Sequence, residues 1–349
     1  MRILSGNNID RTGWSKLVKT SATGTWFQTP EAYCFYESMP EFFRPFVVAV
    51  ERVNDLANER TLRGVCVGYV TVEKSAVKQW LTRRAIIIGG PCYADDCANE
   101  EVSLLLSTLR QQLSTGANAP IYIESRNFND YSRWKDAFAS AGFDYKAHLN
   151  FHVDCRDKEA MWERMSENRR RQVRKAQATV ECLTNEGISE LEVREWYEIL
   201  RMLYRTKVKT PLWPVEFFLE AYRQGVGKFL LVKHEGKVIG GSVVVMSERV
   251  KELGNEGTVY EWFECGLNAD YKEQYPSVMA TWAGMQYANG HGCARYDMMG
   301  AGVPGVPYGV RDFKSEFGGD MVEHGRFLCV CKPLLYKLGV LGVKIFKRK

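Results

Sequence analysis

A pattern of glycine-bearing strands that recurs along the 349 residues sets the first limit on the fold. The pairs Gly64/Gly68 and Gly240/Gly241, then Gly90 and Gly266, then Ile123 and Met298, fall at similar intervals in the two halves. Self-similarity at one long period points to a duplicated unit. A chain of this length also accommodates two packed cores more readily than one.

The apolar patterning within each half agrees. Runs at Pro45 to Val50, Leu62 to Val72 and Ala85 to Ile88 predict strands, and Glu100 to Leu113 has helical spacing. Ile121 to Glu124 reads as a strand, Tyr131 to Ala141 as a helix ended by Gly142, and Tyr145 to Val153 as a further strand. A similar order returns with strands at Lys228 to Lys233, Val238 to Met246 and Thr258 to Glu264, a helix over Ser277 to Asn289, and a strand at Arg295 to Met298. Between the halves, Asp157 to about Gly225 is mainly helical, and Trp162, Met165, Val173 and Ala176 share a face of one long helix. The expectation is an α/β (α+β) chain with a first domain over residues 1–155 and a second over 156–349. The second opens with a helical stretch, 156–225, and closes with a basic tail. The order fits two tandem GNAT-like acyltransferase domains, with mixed sheets flanked by helices, and other mixed α/β folds as well.

Composition narrows the setting. The ten cysteines form no CxxC pair and no zinc-ligand array, so neither a structural metal nor a disulfide framework is expected. Met1 to Lys19 is polar and mixed, unlike a secretory leader, and no run reaches the roughly 18 uncharged apolar residues of a spanning helix. A cytoplasmic location, with reduced thiols, follows as the expectation. The net charge of +5 is mild and suits anions met locally better than bulk coating of nucleic acid.

Local charge is concentrated in Arg169-Arg170-Arg171-Gln172-Val173-Arg174-Lys175, where helical spacing stacks like charges at i,i+3 and i,i+4. Such a face calls for an anion, and guanidinium forks match phosphate oxygens, so a diphosphate or an RNA backbone is one reading and a solvated helix face the other. The stretch Phe313-Lys314-Ser-Glu-Phe-Gly-Gly319 follows the breaker-rich loop Gly300 to Gly309. A lysine at such a loop can polarise an ester carbonyl, or it can be idle. Ile88-Gly-Gly-Pro91 reads as a close-approach turn at a strand end. His148, Asn150, His152 and Asp154 share one face of a strand, better taken as a wet face than as a metal site. The tail from Lys332 to Lys349 alternates leucines with lysines in the manner of a basic amphipathic helix. Packing on its own domain and peripheral contact with an anionic membrane surface are both open to it.

Four stretches together resemble the Fem (FemABX) family: Ile88 to Pro91; Asn168 to Ala176; Arg295-Tyr-Asp-Met-Met-Gly300; and Phe313 to Gly319. The resemblance implies an acyltransferase that moves an amino acid from aminoacyl-tRNA to the peptide of a UDP- or lipid-linked muramyl precursor, without a cofactor, in cell-wall biosynthesis. It implies a binding cleft between the domains, with Arg170, Arg171, Arg174 and Lys175 holding the diphosphate, Tyr296, Asp297 and Phe313 lining the substrate site, and Lys314 beside the transferred ester as the catalytic group. It also implies a monomer, since the long helical hairpin of some members is missing. Alternatives are an N-acyltransferase that draws on acyl-CoA or an acyl carrier, and a non-catalytic binding protein on the same fold. Against CoA, Gln274-Tyr-Pro-Ser-Val-Met279 stands where a glycine-rich phosphate-cradling loop would precede the helix, and Pro91 to Cys97 carries carboxylates at the equivalent place in the first half.

Overall fold

The computed structural model describes residues 1–54, 59–116, 118–248, 250 and 256–347. They divide into two compact units, one of Met1–His148 with Glu323–Lys349 and one of Leu149–Lys251 with Glu256–Val322.

In the first unit the sheet runs in the order Arg2–Ser5, Phe43–Asn54, Glu59–Thr71, Ala85–Gly89, Tyr122–Asn127, Arg326–Val330 and Asp144–Lys146. The long hairpin of Phe43–Asn54 with Glu59–Thr71 is antiparallel, and Ala85–Gly89 lies parallel to Tyr122–Asn127. Both sheet faces are covered, which is why Val47, Val48, Ala49 and Val50 are all buried rather than alternating. Helix Asn99–Ser114 supplies Val102, Leu105, Leu106 and Leu109 to the core that holds Val48 and Val50. Helix Pro30–Glu37 supplies Tyr36, whose ring meets Phe43 and Tyr69. Each such fully buried apolar side chain contributes about 1.5–3 kcal/mol.

In the second unit the order is Asp320–Glu323, Leu149–Asp154, Arg295–Gly300, Thr258–Gly266, Lys237–Ser247, Lys228–His234 and Glu181–Leu183. Helix Pro276–Gly290 packs on this sheet, and its Val278, Met279, Ala280, Trp282, Met285 and Ala288 enter one core with Val244, Val259, Tyr296 and Met298. On the opposite face Trp262 and Phe263 meet Phe217 and Phe218 of helix Val215–Arg223.

Three sequence expectations are corrected here. Tyr145 to Val153 is not one strand but two, Asp144–Lys146 and Leu149–Asp154, which pair in different sheets. The domain boundary moves accordingly. Leu149–Asp154 inserts beside Arg295–Gly300 in the second sheet, and Arg326–Val330 inserts between Tyr122–Asn127 and Asp144–Lys146 in the first. Residues 323–349 thus belong with the first unit and not with 156–322, because only there do their backbone groups complete a ladder. The two halves exchange one strand each. The single long helix is also two, Lys158–Arg164 and Glu167–Gln177, since the Ser166 hydroxyl accepts from Arg169 N–H and caps a new start. Met165, Val173 and Ala176 nevertheless share one buried face, with Trp162 packed against it.

Candidate active site

The chemistry-bearing groups of the second unit gather beneath helix Pro276–Gly290. Strand Thr258–Gly266 shifts register against Lys237–Ser247 between Val243 and Val244, so that Val243 faces Phe263 and Val244 faces Glu261. The extra residue, Trp262, makes a bulge. Glu261 and Glu264, three apart, thereby come to one side of the strand, while Trp262 and Phe263 go to the other. From the helix, Thr281 Oγ1 lies 3.4 Å from Glu261 Oε2. Tyr296, on the adjacent strand, donates to the same oxygen at 2.6 Å. Lys314 Nζ is 3.8 Å from Glu261 Oε1.

Burial governs how these groups ionise. Glu261 is 7% exposed, and desolvation lifts its carboxyl above the ordinary range despite Lys314 and the hydrogen bonds from Tyr296 and Thr281. Glu264 is lifted further, to about 8, by burial first and by the neighbouring Glu261 charge second. Its Oε1 has no hydrogen-bond partner among the described residues. A carboxyl lifted to about 8, with one oxygen unpaired among the described residues, can accept or release a proton near neutrality.

Lys314 is placed differently from a loop lysine. It ends helix Gly309–Ser315, is 8% exposed, and donates to the backbone carbonyls of Met298 and, at 3.2 Å, of Gly300. Two of its three donors thus fasten the helix to the end of strand Arg295–Gly300, where Met299 adopts φ 56°. Asp297 points to the opposite face of the sheet from Tyr296. It is fully buried, pairs with His152 Nε2 at 3.2 Å and accepts Met299 N–H at 2.7 Å. Burial opposes its ionisation, but the charge and hydrogen bond of His152 outweigh that and hold the carboxyl below its ordinary value. Asn150 and His152 do share a face with Asp154, and the intervening Leu149, Phe151 and Val153 are buried.

The basic helix meets the Phe-Lys stretch through an arginine outside the expected set. Arg169 is buried, its guanidinium lying 4.5 Å from the Phe313 ring centroid and 5.2 Å from that of Phe317. Its Nη1 donates to Gln172 Oε1 at 2.7 Å, and its Nε is 3.6 Å from Glu316. Glu316 in turn accepts from Ser166 Oγ and Asn168 Nδ2. Arg170 reaches the Glu163 carbonyl, Arg171 the Asn168 amide oxygen, Arg174 the Trp162 ring, and Lys175 pairs with Glu273 at 2.5 Å. The expected like-charge repulsion is relieved within the chain. Arg171, Arg174 and Lys175 remain exposed. All of these groups and Lys314 belong to the second unit.

Gly318 shows why the stretch ends Phe-Gly-Gly. Its φ is 75°, and a Cβ there would lie 2.4 Å from the backbone of Arg164. At Ile88 to Pro91 the close approach is by side chains: Thr25 fills the space beside Gly89 and Tyr131 that beside Gly90. Among the described residues no group of His, Cys, Asp and Glu has the arrangement of a metal site, and no helix is long and apolar enough to cross a membrane.

A FemAB family model matches residues 253–341, the segment that carries Glu261, Glu264, Tyr296, Asp297 and Lys314. No curated protein gives a sequence match. Among solved structures the chain is similar to FemX, with 12% identity, a TM-score of 0.70 and coverage of 97% of this chain and 99% of that one. It is similar also to a tandem GNAT protein from the clavulanic acid biosynthesis pathway, at 9% identity, TM-score 0.54 and coverage of 95% and 98%. A third similar structure is L-PGS from Bacillus licheniformis, at 10% identity, TM-score 0.53 and coverage of 97% of each chain. The FemAB segment thus holds the chemical centre of the second unit, and along nearly its whole length the chain shares the GNAT-like fold of FemX.

Proposed function

We propose that the chain is a Fem-type aminoacyltransferase, which moves an aminoacyl group from aminoacyl-tRNA to an amine of a muramyl-peptide precursor. The observation that carries this reading is the cluster of Glu261, Glu264, Tyr296 and Lys314 inside the FemAB segment, where a carboxyl held near neutrality stands beside a buried cation.

The acceptor amine attacks the ester carbon, a C–N bond forms, and the C–O bond to the tRNA ribose breaks. Glu264 takes the proton that the amine loses and returns it to the departing ribose oxygen, so the products are an amide and free tRNA. Lys314, with two donors committed to backbone, assists through its charge as the ester oxygen becomes negative. An activated ester leaves positioning to do much of the rest, up to roughly 7–11 kcal/mol. Arg170, Arg171, Arg174 and Lys175 would hold the diphosphate, with Phe313 and the Tyr296–Asp297 strand end framing the acceptor side.

A donor without CoA is supported by the start of helix Pro276–Gly290. Pro276 has no N–H, and the Ser277 N–H already donates to Asn268 Oδ1 at 3.1 Å, whereas a pyrophosphate would need such donors unspent. In the first unit the Glu101 carboxylate accepts Ala98 N–H at the start of helix Asn99–Ser114 and pairs with Arg52 and Arg63.

The test is incubation of the purified protein with a charged tRNA pool and UDP-linked or lipid-linked muramyl pentapeptide, read by intact mass. The expected result is a precursor heavier by one amino-acid residue, dependent on the charged tRNA. Acylation from acyl-CoA with no dependence on tRNA would replace this reading with the N-acyltransferase one, and ligand binding without turnover would leave a binding protein.

A further inference from the structure

We infer that helices Ala76–Thr82 and Pro333–Lys347 of the first unit form one apolar, basic-rimmed face that docks on an anionic lipid bilayer. The inference is independent of the proposed reaction.

The two helices pack together. Each turns large apolar side chains to solvent. Helix Pro333–Lys347 exposes Leu334 at 79%, Leu338 at 64% and Leu341 at 56%, the i, i+4, i+7 spacing of a single stripe. Helix Ala76–Thr82 exposes Val77, Trp80 and Leu81, with Trp80 at 54%. Scattered apolar residues on a surface need no explanation, but six on two touching helices amount to a patch. The face is also fixed in place. Cys331 and Lys332 N–H both donate to the Ile121 carbonyl, and the Tyr336 ring meets Tyr122 with centroids 5.7 Å apart. The outward stripe is therefore the side of the helix left over after docking on its own unit.

Charge selects the occupant. The last 18 residues of the sequence hold six Lys and Arg and no Asp or Glu, among them the described Lys332 and Lys337, and the short helix adds Lys78, paired with Glu73 at 2.7 Å, with Lys74 just before it. An apolar stripe with a tryptophan and a cationic rim matches the boundary between headgroups and acyl chains, with the lysine stems reaching outward. A protein groove would need no such one-sided charge. Arg348, Lys349 and the side chains of Val343, Lys344, Ile345 and Lys347 lie outside the described residues.

The test is co-sedimentation of the full chain with phosphatidylglycerol–phosphatidylcholine vesicles and with pure phosphatidylcholine vesicles. Binding to the anionic vesicles alone is expected, weakened by added salt. Trp80→Ser and Leu338→Ser should each lower the partition coefficient about tenfold or more, the scale of one withdrawn apolar side chain. Lys337→Glu should lower it more than fivefold, since each surface cation near the membrane counts for roughly that factor. Unchanged thermal unfolding in the exposed-site variants would show that the fold is intact. The inference is overturned by absence of vesicle binding, by binding that all three variants retain, or by a lipid-free dimer in sedimentation velocity that Leu338→Ser abolishes, which would give the face to a second copy of the chain.

Discussion

The Tyr296 hydroxyl donates to Glu261 Oε2 at 2.6 Å from a neighbouring strand, and both residues are buried. This bond joins the Arg295–Gly300 strand, which ends the Tyr-Asp-Met-Met-Gly run, to a glutamate that no sequence motif singles out. It helps keep the Glu261 charge tolerable next to Glu264, whose carboxyl is pushed up to about 8.

Glu264 should give the transfer rate its pH dependence. As the proposed base it works when ionised, so single-turnover rate should rise with pH through about 8 and level off above it. Glu264→Gln should lower the rate by two to four decades and flatten the profile. The stability effect has the opposite sense. A carboxyl whose folded value lies above its unfolded one favours the folded state at low pH, and that contribution is lost as pH rises between about 4.5 and 8. Thermal melts of the wild type and Glu264→Gln should therefore diverge across that window. Parallel curves and an unaltered rate profile would remove Glu264 from the reaction.

Lys314→Met tests catalysis against packing. If the charge of Lys314 stabilises the transition state, the rate should fall by two to three decades, equivalent to roughly 3–4 kcal/mol. The variant also strands Glu261 without its cation, which lowers stability. Adding Glu261→Gln should restore most of the melting temperature because no buried charge is left unbalanced, yet leave transfer slow. Recovery of the rate along with stability would assign Lys314 a purely structural place.

Arginines of the basic helix should divide into two kinds. Arg169→Ala loses two aromatic contacts and the Glu316 partner in a buried setting, and should cost about 2–3 kcal/mol in denaturant unfolding. Arg171→Ala and Arg174→Ala should leave stability within about 0.5 kcal/mol, because both are exposed. On the proposed function the latter two weaken binding of the diphosphate-bearing acceptor by about 1.5–3 kcal/mol in calorimetry. Equal affinities would return the exposed arginines to the role of a solvated helix face.

Gly318→Ala should destabilise by more than about 1 kcal/mol, through positive φ and through the 2.4 Å approach to the Arg164 backbone. The same substitution at Gly339, where a Cβ meets nothing within 4 Å, should be neutral or slightly stabilising, since it sits within helix Pro333–Lys347. Chemical denaturation of the two variants checks the contrast.

The strands and helices of both halves were legible from periodicity, because sheets buried on both faces leave continuous apolar runs such as Phe46 to Val50. The break at Ala147–His148 was not, since Tyr145 to Val153 alternates through it without a glycine or proline to mark the crossing. Lys314 and Tyr296 were visible as motif residues, but their burial was not. Glu261 and Glu264 escaped because their shared face depends on the bulge at Trp262, and a plain strand would have turned them to opposite sides. Arg169 could have been found. It lies three and four residues from Gln172 and Val173, on the stripe that continues to Ala176, and that placed it on the inner face of its helix.

The exchanged strands also bear on biosynthesis. Tyr122–Asn127 is paired on one side by Ala85–Gly89 and on the other by Arg326–Val330, two hundred residues later in the chain. Until residue 330 has left the ribosome, the first sheet has an open edge in its middle, a row of unpaired N–H and C=O groups and a template for stray pairing. The N-terminal half cannot finish folding first and wait, as domains strung in simple succession do. Closure is a late, long-range event, so the first unit should fold slowly, and a nascent chain stalled before Arg326 should be a client of chaperones and proteases.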